Sequence, residues 1–156
     1  MTVLGAHVTE EPLLAERLSK LDPQLGKVYQ QIWESLYGTT AEPERTALYQ
    51  MRQAFDHLFE ILAPDDQVRK SAYFVKKEGN KPDQVDRKER LQFAAFSRVA
   101  YRPQAQTLAA SSVQLLEVYQ ALNQAHKRGE LSREKARTAL FAMQSFLQDW
   151  ADALKL

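Results

Sequence analysis

Residues 48–66 read LYQMRQAFDHLFEILAPDD, and this stretch decides the fold class. Leu48, Met51, Phe55, Leu58 and Leu62 recur at alternating three- and four-residue spacing, which lays apolar side chains along one helix face. Ala63-Pro64-Asp65-Asp66 stops that helix and opens another, because proline cannot continue a helix and acidic side chains favour a helix N-terminus.

The same punctuation recurs outward from this segment. Thr9 is placed to cap a first helix, with Pro12 in its opening turn, running to Leu21. Asp22-Pro23 restarts a second as an acidic N-cap followed by proline at N1. Its apolar face is Leu25, Val28, Tyr29, Ile32, Trp33 and Leu36, and Gly38 ends it. Pro43 opens the third helix, which reaches Leu62; a short helical segment then extends to Tyr73. The polar stretch 76–84, KKEGNKPDQ, reads as a loop. Helix five is expected over Gln84–Arg102 and helix six over Pro103–Lys127, with Leu108, Leu115, Tyr119 and Leu122 on its face. The last helix begins at Ser132 and buries Leu140, Met143, Phe146, Leu147, Trp150 and Leu154.

Half-buried strand alternation never persists beyond about four residues. The expectation is a single all-α domain over residues 1–156, a bundle of six or seven helices. With 156 residues and 44% hydrophobic content it can build its core without cofactor or metal. A net charge of +1 gives no global attraction to nucleic acid or membrane, so any charged partner must be read by a local patch. The chain has no cysteine, which removes disulfides, thiolate metal sites and cysteine nucleophiles. No apolar run approaches the roughly 18–20 residues of a membrane span, and MTVLGAHVTEEPLL has no signal-peptide pattern. A cytoplasmic protein with no membrane contact is the expectation.

Chemistry is sparse. The spacing of Arg52 and His57 resembles the Arg-x4-6-His pattern of the HEPN ribonucleases, a resemblance that implies phosphate stabilisation by arginine and proton transfer by histidine. On a regular helix the two side chains diverge by about 140°. They converge only if the helix is irregular or a second subunit completes the site. The competing reading pairs Arg52 with Asp56 at i, i+4 and leaves His57 as a flanking surface residue. His126 continues the Tyr119 and Leu122 stripe near a helix C-terminus, where it serves as a cap or core histidine or joins a site with Asn123. His7, His57 and His126 are too scattered for a sequence-local metal site, so no metal and no cofactor is expected. Glu10-Glu11 and Asp65-Asp66 read as helix N-terminal charges.

The strongest local charge bias lies between Arg69 and Arg102. Arg69, Lys70, Lys76, Lys77, Lys81, Arg87, Lys88 and Arg90 are followed by Arg98 and Arg102, with Tyr73, Phe74, Phe93, Phe96 and Tyr101 interleaved. Such a mixture suits a nucleic-acid backbone with stacking side chains. The alternative is a core of aromatics under a solvated face with local pairs such as Asp86–Arg90.

The order of the blocks LDPQLGKVYQQIWESL, MRQAFDHLFEILAPDDQV, DRKERLQF and VYQALNQAHKRG resembles bacterial helical proteins grouped as predicted nucleases associated with prokaryotic PIWI systems, and more loosely HEPN-type ribonuclease modules. The resemblance spans Leu21 to Gly129 and picks out Arg52, His57, Pro64-Asp65, Arg87, Arg90, Asn123 and His126. It implies a setting in defence against phages and plasmids. The chain carries no Asp…Glu-x-Lys cluster of the restriction-nuclease kind. Three functions follow as expectations. The first is a non-catalytic adaptor docking a protein partner or a second copy, through aromatics such as Trp33, Tyr37 or Trp150. The second is a nucleic-acid-binding subunit using residues 69–102. The third is a metal-independent HEPN-like ribonuclease acting as a dimer.

Overall fold

Proline at N1 starts two of the helices around which the molecule is built. In the computed structural model, which describes residues 13–39, 41–129 and 131–156, α1 covers 13–21, α2 Pro23–Leu36 and α3 Pro43–Leu62. Four more follow: α4 Asp65–Arg69, α5 Arg87–Arg98, α6 Arg102–Lys127 and α7 Arg133–Ala153. The described residues contain no strand. The side chains of Leu122, Ala125 and His126 lie outside the description, as do His7, Thr9, Glu10, Glu11 and Pro12.

α3 is the central element. It packs along α2 on one side and α7 on another, and meets α5 near its C-terminal end. All five residues of the diagnostic stripe, Leu48, Met51, Phe55, Leu58 and Leu62, are buried. Phe55 stacks on Phe146 at 5.2 Å and Phe59 meets Trp150 edge-on at 5.1 Å, which fixes α3 against α7. Burying each large side chain contributes about 1.5–3 kcal/mol, so α3 alone accounts for much of the core. α6 packs along α5 and less extensively on α7.

Trp33 and Trp150, expected as possible docking residues, are instead core: they are 4% and 0% exposed. Their apolar area is worth more against Phe141, Phe146 and Phe59 than in water. Tyr37 does remain exposed at the end of α2, where it stacks on Trp33 at 6.4 Å.

Three local expectations give way to tertiary contacts. Asp22 sits at the N-cap position of α2 but makes no side-chain cap, because its carboxylate binds His57 of α3. Helix five is shorter than its composition suggests: it starts at Arg87 and ends at Arg98, with Val99 extended. A capping box sets that start, in which Asp86 accepts the Glu89 N–H and Glu89 accepts the Asp86 N–H. Arg90 does not pair with Asp86; it reaches the Ala63 carbonyl at 2.8 Å and the Asp65 carboxylate. Arg98 caps the same helix end through the Leu62 carbonyl at 2.9 Å. Two arginines of α5 thus satisfy carbonyls that the C-terminus of α3 would leave unpaired.

Candidate functional site

α6 packs on α5 and α7 and not along α3. Residues of α3 and α6 line a common groove, and side chains bridge the two helices there. Arg52 Nε donates to the Tyr119 hydroxyl at 2.6 Å, and its guanidinium lies 4.6 Å from the Tyr119 ring centre. Arg87, at the first position of α5, brings a second guanidinium to 5.2 Å from the same ring. Its Nε donates to Asp56 at 3.4 Å, one turn beyond Arg52 on α3. The i, i+4 pair Arg52–Asp56 therefore does not form; each residue finds a partner on another helix.

Two guanidiniums thus share one electron-rich ring, with Asp56 on Arg87 and, among the described residues, no carboxylate on Arg52, so Arg52 is the cation placed to meet an incoming anion. Arg52 and Tyr119 line one pocket, and Asp56 and Arg87 line another. One, of about 300 Å³, lies beside Arg45, Tyr49, Arg52, Tyr119 and Asn123. The other, of about 600 Å³, lies beside Asp56, Glu60, Arg87, Lys88, Leu116 and Gln120.

His57 faces elsewhere. Its Nε2 lies 2.5 Å from Asp22 Oδ2, tying the C-terminal half of α3 to the start of α2. The hydrogen bond from His57 holds the Asp22 carboxyl below its ordinary range, against the opposing effect of partial burial. Arg52 and His57 are not brought together within one chain. His126 lies within α6, one turn beyond Asn123, and its side chain is outside the described residues.

The basic segment divides into paired and unpaired cations. Arg69 donates to the Asp83 carbonyl at 2.8 Å and to Asp66 at 3.0 Å; Lys77 bonds Glu89; Arg87 and Arg90 hold Asp56 and Asp65. Lys70, Lys76, Lys81 and Lys88 are exposed. Of the interleaved aromatics, Phe93 is buried, Tyr73 stacks on Phe96 at 5.7 Å, and Tyr101 is left exposed. The segment staples α3, α4 and α5 together while leaving four lysines at the surface.

Tyr119, Tyr49 and Arg45 are among the site residues that sequence reasoning passed over. Tyr119 read as one more apolar position of the α6 face, and its hydroxyl was the available signal: a buried tyrosine needs a polar partner for its OH. Among the described residues no group of three or more histidines, aspartates or glutamates is placed to hold a metal ion, and no helix is long and apolar enough to cross a membrane.

The family model described as "Predicted pPIWI-associating nuclease" matches residues 18–149, which takes in α2 to α6 whole and most of α7. The chain belongs to this family. Its match includes both sides of the groove, the Arg52–Tyr119–Arg87 cluster and the His57–Asp22 pair. Comparison with curated proteins gives no match, and comparison with solved structures gives none.

Proposed function

We propose that this protein is a helical adaptor subunit that works beside a PIWI-type protein in defence against phages and plasmids, and that it lends that assembly a nucleic-acid contact in the α3–α6 groove. The single observation that carries the nucleic-acid part is the pair of guanidiniums, Arg52 and Arg87, set on Tyr119 and each lining a pocket. Arginine in this setting offers a planar fork to phosphate while its face rests on an aromatic ring. The family description supports the partnership. Lys88 lines the larger pocket, and Lys70, Lys76 and Lys81 add exposed positive charge elsewhere.

Co-expression with a prokaryotic PIWI-type protein tests the partnership: the two elute together, and separate elution at micromolar concentration counts against an adaptor. Binding of single-stranded nucleic acid at two salt concentrations tests the contact. Affinity that falls steeply with salt is expected, and binding indifferent to salt removes a phosphate-reading groove.

A second reading, metal-independent ribonuclease activity, draws on the family description and on His57. A histidine hydrogen-bonded to a carboxylate is oriented as general bases are. RNA cleavage in the absence of divalent metal, lost in both Arg52→Ala and His57→Ala proteins, would establish it; equal cleavage by wild type and both variants removes it.

A further inference from the structure

The smaller pocket has a composition that the groove as a whole does not. Arg45, Thr46, Tyr49 and Arg52 reach it from α3, Tyr119 and Asn123 from α6. Leu48 and Leu131 add apolar wall, and both are buried. Its about 300 Å³ lies at the lower end for ligand pockets, and it combines an apolar lining with a few polar groups, as such pockets do.

The two arginines there have different employment. Arg45 is committed, through Glu42 at 3.0 Å and the Leu131 carbonyl at 2.8 Å. Arg52 spends only Nε, on Tyr119; its two terminal nitrogens make no hydrogen bond among the described residues. With Arg45 and Arg52 set against Glu42, the pocket keeps one positive charge in excess. Tyr49 stands at its mouth, 59% exposed, with a ring face available for stacking.

We infer that this pocket binds a nucleoside monophosphate group, either a free nucleotide or the phosphorylated end of a strand. Arg52 takes the phosphate through its terminal nitrogens, Tyr49 offers its face to the base, and Asn123 supplies a hydrogen-bonding amide. A strand end fits better than a strand interior, because a terminal phosphate monoester carries about −1.5 to −2 charge, more than the single charge of an internal diester, and gains more from the excess positive charge. The strand form of this inference rests on the nucleic-acid contact proposed above; the free-nucleotide form does not.

The test uses single-stranded oligonucleotides labelled at one end and carrying phosphate or hydroxyl at the other, in both polarities, read by fluorescence anisotropy with the full chain. Phosphate at one of the two ends is expected to tighten binding about tenfold. That advantage disappears in Arg52→Ala and in Arg52→Lys, because lysine keeps the charge without the fork, and it persists in Lys27→Ala, at an exposed position of α2. The Arg52→Lys protein keeps the test decisive where Arg52→Ala fails to fold. Adenosine 5′-monophosphate, measured alone by calorimetry, separates the two sources. Strands that bind equally with and without phosphate, together with no heat from the mononucleotide, overturn the pocket and leave the groove contact standing. A mononucleotide that binds while no strand does supports the pocket and removes the strand contact. Binding of neither removes both.

Discussion

Val75 and Glu89 are joined by a 2.6 Å hydrogen bond in which the Val75 backbone N–H donates to Glu89 Oε2. The other carboxylate oxygen accepts the Asp86 N–H at 3.0 Å and the Lys77 ammonium. One buried carboxylate therefore holds the loop after α4 against the first turn of α5. Burial opposes its charge, but the Asp86 and Val75 amides and Lys77 outweigh that and keep its carboxyl below the ordinary range. Glu89→Ala leaves two amides and an ammonium without their partner, and is expected to cost about 2–4 kcal/mol in urea unfolding. Glu89→Gln costs less, since its amide oxygen still accepts. A loss below about 0.5 kcal/mol in Glu89→Ala, the scale of an ordinary surface change, would show that the loop is held by other contacts.

Gly26→Ala should destabilise, although alanine is the better helix former by about 1 kcal/mol. A Cβ on Gly26 would stand 1.8 Å from Ser19 Oγ and 2.7 Å from the Ala15 carbonyl, so α1 cannot stay in place. Overpacking of this kind costs about 1–3 kcal/mol. Adding Ser19→Ala removes the hydroxyl clash but leaves the carbonyl, so it restores only part of the loss. Thermal unfolding of the single and double variants checks both statements, and a stabilised Gly26→Ala protein contradicts them.

Acid should weaken the fold. Arg133 donates two bonds of 3.1 Å to Glu44, and this pairing, against the opposing effect of burial, holds the Glu44 carboxyl below its ordinary range. Asp22 and Glu89 are lowered as well. A carboxyl with a lower pKa folded than unfolded contributes stability above the unfolded value and loses it as pH falls through the folded one. Asp149 runs the other way: burial and neighbouring Asp152 raise it, so its ionisation costs stability and acid relieves that cost. Three lowered groups against one raised predict a melting temperature that falls between about pH 5 and about pH 3. Glu44→Gln should flatten that fall, and an unchanged pH profile in this variant rules out its pair as a source.

Tyr119→Phe keeps the ring beneath both guanidiniums and removes the acceptor of the 2.6 Å bond from Arg52. The expected stability loss is about 0.5–1.5 kcal/mol, the net worth of one hydrogen bond. In nucleic-acid binding, Arg52→Ala and Arg87→Ala are each expected to lower the log–log salt slope by about 0.7, the contribution of one phosphate contact on a single strand. Slopes equal to that of the wild type would place the contact elsewhere, with the exposed lysines 70, 76, 81 and 88 the next positions to vary.

Much of the architecture was legible because it depends on period and punctuation. Leu48, Met51, Phe55, Leu58 and Leu62 are buried as their spacing requires, and Pro23, Pro43, Ser132 and Gly129 stand at helix boundaries. α5 starts three residues later than Gln84, at Arg87, because the capping box of Asp86 with Glu89 fixes its first turn there. The site was less legible. Arg52 was singled out, but its partner Tyr119 lies 67 residues away on another helix, and local spacing offered Asp56 instead.

By itself the sequence determined that this chain is helical, where its helices turn, and which faces are apolar, since these follow from side-chain period and backbone capping within a few residues. Tertiary structure alone decided the employment of the charged groups: Asp22 for His57, Asp56 for Arg87, Glu44 for Arg133, Arg90 and Arg98 for the end of α3. Long charged side chains reach any partner within several ångströms, and which partner is near is set by how helices cross, not by where residues fall along the chain.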